Sequence, residues 1–121
     1  MSRTDLIIHY NEFINAAKLR NEAIKVGDSK TANRQYTILK RIFNRAQKDT
    51  VSAKEFYTRL RNDSDSNVKI AACAHSLALG LDIAEAENIL ATLSQYKDIG
   101  IPRLEAEMTL KVWKEQGYLK F

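Results

Sequence analysis

The sequence predicts an all-α chain: five or six antiparallel helices in a HEAT-like or irregular α-solenoid stack, one domain spanning residues 1–121. Three observations lead there. Proline and glycine are scarce, one and four in 121 residues, while the strong helix formers Ala, Leu, Lys, Glu and Arg are abundant. Apolar residues recur at three- and four-residue spacing in segment after segment, and nothing alternates long enough to read as a strand. The nearest approach, "VKIAAC", lies inside an alanine-rich run. Finally, the breaks between segments are short, and short connections make neighbouring helices antiparallel.

The elements follow in order. Residues 4–26 place Leu6, Tyr10, Phe13, Ile14, Ala17 and Ile24 on one helical face, with Thr4 as the expected cap and Gly27 as the stop. Residues 29–48 place Tyr36, Leu39, Ile42, Phe43 and Ala46 on one stripe. Lys30, Arg34, Arg41, Arg45 and Lys48 lie roughly opposite, so this helix has a basic back. In "TVSAKEFYTRL", Ser52 and Glu55 have capping-box spacing, and Val51 with Phe56 has that of a hydrophobic staple. A third helix is expected to start at this cap and end near residue 61.

"NDSDSN", residues 62–67, is the one clear break, all small polar residues with turn and cap preferences. A fourth helix over about residues 68–79 is nearly all small and apolar, which predicts burial on most sides, and Gly80 ends it. Asp82 and Glu85 suggest a second capping box, opening a fifth helix to about residue 96. Ile83, Ala86, Ile89, Leu90 and Leu93 line its inner stripe. Pro102 suits the first turn of a last helix, Gly117 its stop, and Leu104, Met108, Val112 and Trp113 mostly share one face. Trp113 is expected to fill the gap against the fifth helix, and the tail "YLKF" to fold back as an end cap. No internal repeat is visible by identity.

A length of 121 residues suits one domain, able to remove roughly two thirds of its unfolded surface from water. No apolar run approaches a membrane span, and the N-terminus lacks a secretory apolar core. A single cysteine, Cys73, forms no internal disulfide and agrees with a reducing compartment. The expected location is cytoplasmic. Net charge is +4, unevenly spread: residues 1–61 hold 13 Lys/Arg against 6 Asp/Glu, and residues 62–121 hold 6 against 9. Such asymmetry marks a candidate polyanion-binding or acidic-protein-binding face.

Nothing in the sequence assembles a reaction centre. Cys73 and His75 are two apart on a helix and point to different faces, which argues against a metal pair or a Cys–His nucleophile. Cys73 reads as a small buried hydrophobe, His75 as a partly buried helical histidine with one hydrogen bond, and His9 as a surface residue. Glu105 and Glu107 diverge for the same angular reason, and the four glycines are isolated helix stops rather than a phosphate loop. The sequence thus predicts no enzyme, no cofactor and no metal.

Residues 66–119 resemble HEAT-like helical repeats. More narrowly, they resemble a family of short bacterial proteins of unassigned activity that end in an alanine-rich helix, an acidic-Ala helix and then "AEMTLxxWKxG" and a leucine. Ala106, Glu107, Met108, Thr109, Leu110, Trp113, Lys114, Gly117 and Leu119 match that ending. The match carries one extra residue, since Glu115 and Gln116 both separate Lys114 from Gly117. The helices of residues 1–61 carry no such likeness. The resemblance implies an immunity protein that binds and neutralises the toxin domain of a bacterial competition system.

Two surfaces are candidates for that contact. The basic stripe of Lys30, Arg34, Arg41, Arg45 and Lys48 runs about 27 Å at 1.5 Å per residue and would take an acidic surface. The acidic second half, with Asp82, Glu85, Glu87, Asp98, Glu105 and Glu107, would take a basic nuclease toxin. The basic stripe is the denser of the two. It could also track a nucleic-acid backbone, making a helical-repeat nucleic-acid binder the alternative. Tyr36 and Phe43 lie on the core side, which argues against base stacking.

Overall fold

The computed structural model describes residues 3–96, 100–119 and 121, with side chains in the first helix described from His9 onward. It contains α1 (Arg3–Lys25), α2 (Ser29–Ala46), α3 (Thr50–Arg61), α4 (Ser66–Leu79), α5 (Ile83–Leu93) and α6 (Ile101–Gln116). No strand occurs among the described residues. The chain divides into two compact units, Met1–Phe56 and Tyr57–Phe121, so the division falls inside α3. The compositional break at residues 62–67 comes later, covering the loop between α3 and α4 and the first two residues of α4.

In the first unit, α2 folds back along α1 through a tight turn. Gly27 sits at φ 73°, a left-handed conformation cheap only for glycine. It lets the Gly27 N–H reach the Ile24 carbonyl and the Asp28 N–H reach that of Ala23, closing α1 with a Schellman motif. Asp28 then caps α2, accepting from the Thr31 N–H at 3.1 Å and from the Thr31 hydroxyl at 2.7 Å. Thr4 falls within α1 rather than before it; its side chain and that of Leu6 lie outside the described residues. The core collects Phe13, Ala16 and Ala17 of α1, Leu39, Ile42, Phe43 and Ala46 of α2, and Ala53 and Phe56 of α3. Tyr10 and Phe13 both meet the Phe56 ring edge-on, centroids 6.5 and 6.0 Å apart.

The start of α3 differs from the Ser52–Glu55 capping box. Asp49 caps the helix instead, accepting from the Ser52 N–H at 3.1 Å. The Lys48 and Asp49 amides are already bonded to Arg45 and Ala46, so the chain turns at once and Asp49 is the first side chain placed to cap. Val51 therefore lies inside the helix, 84% exposed, and forms no staple with buried Phe56.

In the second unit α4, α5 and α6 all pack on one another. Asp65 caps α4 by accepting from the Asn67 and Val68 amides. The small side chains of α4 permit close approach, and Val68, Ile70, Ala72, Cys73, Ala74, His75, Ser76 and Leu77 are all buried. Gly80, at φ 73°, ends the helix with the same Schellman pattern as Gly27. The core is Ile70, Cys73 and Leu77 of α4, Ala86, Leu90 and Leu93 of α5, and Ala106 of α6. Ile89, Leu110, Trp113 and Leu119 close over it. Trp113 thus occupies its expected place, and its indole N–H donates to Glu87 at 3.1 Å.

Two expectations in this unit are corrected. Asp82 makes no capping hydrogen bond to α5; it sits at φ 47° with its carboxylate turned to Arg61. And α6 is rotated from the predicted face. Pro102, Ala106, Leu110 and Trp113 point inward, while Leu104 and Met108 are 50% and 56% exposed. Ala106, the small residue, allows α6 to approach the core closely. The tail does fold back: Leu119 packs on the core and the Phe121 ring lies 4.6 Å from that of His75, although Tyr118 stays exposed.

Candidate protein-interaction surfaces

All five residues of the basic stripe are exposed. Lys30, Arg34, Arg41 and Arg45 lie on α2, and Lys48 just beyond its end. Two are held from α1. The Arg41 guanidinium lies 3.7 Å from Glu12, and the Arg45 Nη1 lies 2.7 Å from His9 Nε2. Arginine has no acceptor, so it donates, and His9 Nε2 carries the lone pair. His9 Nδ1 lies 3.8 Å from Glu12. His9 is buried, correcting its expected place on the surface. Burial is tolerable because one ring nitrogen is bonded to Arg45. Arg45 is thus held by a hydrogen bond, which lowers its ordering cost in a contact, while Arg41 is in loose ionic contact with Glu12.

The acidic candidates are engaged differently. Arg61 is fully buried and donates to Ser76 at 2.6 Å, Thr58 at 3.2 Å and Asp82 at 2.6 Å. Its Nε makes no hydrogen bond but lies 3.7 Å from a Glu85 carboxylate oxygen. Ser76 passes the network on, donating to the Ala72 carbonyl at 2.7 Å. A buried guanidinium must be paired, and Asp82 and Glu85 do this. The left-handed backbone at Asp82, costing roughly 1 kcal/mol for a non-glycine residue, aims its carboxylate at that charge. Glu87 is bonded to Trp113 and Glu107 pairs with Arg103 at 3.5 Å. Glu105 is half-buried on α6, and Asp98 lies outside the described residues. Asp82, Glu85 and Glu87 therefore serve the second unit's own packing.

The remaining chemistry-bearing side chains sit inside. Burial pushes the Cys73 thiol up to about 12, leaving it protonated and inert. Burial pushes His75 down to about 3, so the ring is neutral, and its Nδ1 shares a hydrogen bond of 2.8 Å with the Tyr57 hydroxyl. Among the described residues, no three His, Cys, Asp or Glu side chains converge as metal ligands. Among them, too, no helix is long and apolar enough to cross a membrane.

Among the grooves on the surface, two are lined wholly by described residues. One, about 500 Å³, lies at the turn of the α1–α2 hairpin and is lined by Arg20, Ala23, Ile24, Ala32, Asn33 and Tyr36 among others. The other, about 320 Å³, is more polar and lined by Asn62, Lys69, Glu85, Asn88, Thr92 and Tyr96 above Ile89 and Leu93. Neither groove was anticipated. The hairpin groove had one signal in the sequence: Leu19 and Val26 fall off the apolar stripe of α1. Arg61 had none, since it reads as an ordinary basic residue in a last turn.

Comparison with known proteins gives no match to any protein-family model, curated protein or solved structure.

Proposed function

We propose that this chain is a non-catalytic, cytoplasmic protein-binding module, an immunity protein that binds and neutralises a cognate bacterial toxin domain. Its contact surface is the basic side of α2. The observation that carries this choice is the difference between the two charged surfaces. The basic stripe is exposed at all five positions, with Arg45 bonded to His9, whereas Asp82 and Glu87 are half-buried and bonded to Arg61 and Trp113, and exposed Glu85 lies beside Arg61. An exposed set of cations speeds encounter with an acidic surface and selects against basic ones. The likeness of residues 66–119 to bacterial immunity proteins supplies the kind of partner.

The experiment is co-expression with candidate toxin domains from the native organism, using the intact chain and a Lys30→Glu/Arg34→Glu form. The intact chain restores growth and co-purifies with one toxin domain, and the charge-reversed form does neither while folding normally. Rescue by both forms alike overturns the contact surface. Rescue of no toxin, together with retention on DNA that falls steeply with salt, replaces the reading with nucleic-acid binding.

A further inference from the structure

The groove at the turn of the α1–α2 hairpin opens beside buried Ala23. Its floor is apolar: Ala23 and Ile24 from α1, Ala32 and Tyr36 from α2. Beside it, Leu19 on α1 and Val26 one residue past its end are 50% and 78% exposed. Residues 19 and 23 are spaced i and i+4, so they are neighbours along α1. Large apolar side chains left to water next to a concave apolar floor mark a contact site rather than scattered exposure. The rim has the opposite character. Arg20 and Asn33 line the groove, and Lys30 and Arg34 follow on α2. Residues 18–41 hold seven Lys/Arg against two Asp/Glu. An apolar trough between two helices, bordered by cations, fits the apolar stripe of a third helix whose flanks are acidic.

We propose that this groove seats an acidic amphipathic helix of the partner protein, its apolar side chains on Ala23, Ile24 and Ala32 and its carboxylates facing Arg20, Lys30 and Arg34. The proposal rests on α2 being the contact element and names what the partner presents to it. It separates two contributions: the cations set encounter and charge preference, and the groove sets which acidic helix is held.

Two synthetic helical peptides test this, both rich in Glu and Ala. One carries leucines at i, i+4 and i+7, and the other has alanine at those positions. Binding to the full chain is followed by amide shifts in ¹H–¹⁵N spectra. The leucine peptide binds about tenfold more tightly, shifting Ala23, Ile24, Ala32 and Tyr36. Ala32→Glu, at a half-buried position lining the groove, removes that advantage while leaving the helical circular dichroism unchanged. Lys30→Glu/Arg34→Glu weakens both peptides alike and leaves their ratio intact. Equal binding of the two peptides, or shifts confined to the outer side of α2, overturns the groove while leaving the basic stripe as a contact surface. Absence of binding by either peptide at millimolar concentration also overturns the groove. The toxin co-expression experiment tests the wider function separately.

Discussion

Arg61 shows how one residue sets the local structure of the second unit. Its buried guanidinium reaches Thr58, Ser76, Asp82 and Glu85, tying the end of α3 to α4 and to the start of α5. Arg61→Ala removes the guanidinium that pairs with Asp82 and Glu85 and strands the Asp82 carboxylate against a strained backbone. The expected loss is about 3 kcal/mol, at the low end for a broken buried pair because Asp82 is partly exposed; urea unfolding measures it. His75 sets a pH limit on the same unit. Its folded value, about 3, lies below the ordinary 6.5. The unfolded chain therefore takes up a proton at His75 between those values and the folded chain does not. The contribution of His75 is complete above pH 6.5 and is lost as pH falls toward 3. Its steepest slope is about 1.4 kcal/mol per pH unit. Urea midpoints across that range fall with acid in the intact chain, and a His75→Phe form shows a flatter profile.

Each helix is legible where its signal is local and misread where its partner is distant. The glycine stops at Gly27, Gly80 and Gly117 were readable because positive φ is a property of one residue. The buried character of α4 was readable because nearly all its side chains are small and apolar. The Asp82–Glu85 spacing looked like a cap, but both carboxylates answer a charge on α3, and spacing along the chain carries no sign of that. The face of α6 was misassigned because α6 has apolar residues on two sides, and only packing against Ala86 and Leu90 selects the side of Ala106, Leu110 and Trp113. This has a measurable consequence. Leu104→Glu and Met108→Glu change unfolding free energy by no more than about 0.5 kcal/mol, as ordinary surface substitutions do. Leu110→Ala removes packing around the core and costs on the order of 2 kcal/mol. The reverse ranking would place Leu104 and Met108 in the core.

Across the whole chain, charge follows the division into units. Residues 1–56 hold 11 Lys/Arg against 6 Asp/Glu, and residues 57–121 hold 8 against 9. The first unit thus carries the field that would steer an acidic partner, while the second uses several of its charges internally. Of the contact residues expected from sequence, the five on the basic stripe and Glu85 stay exposed, Glu85 lying beside Arg61, whereas Glu87 is half-buried and bonded to Trp113. Sequence gave the position of each charge along its helix but not which charges find partners within the fold. The most direct test is the dissociation constant of the captured toxin domain for three forms of the protein. Lys30→Glu/Arg34→Glu weakens binding about a hundredfold, close to 3 kcal/mol, and Glu105→Lys leaves it within about threefold. Equal affinity for the intact and α2-reversed forms, or loss on the Glu105→Lys change alone, contradicts the account.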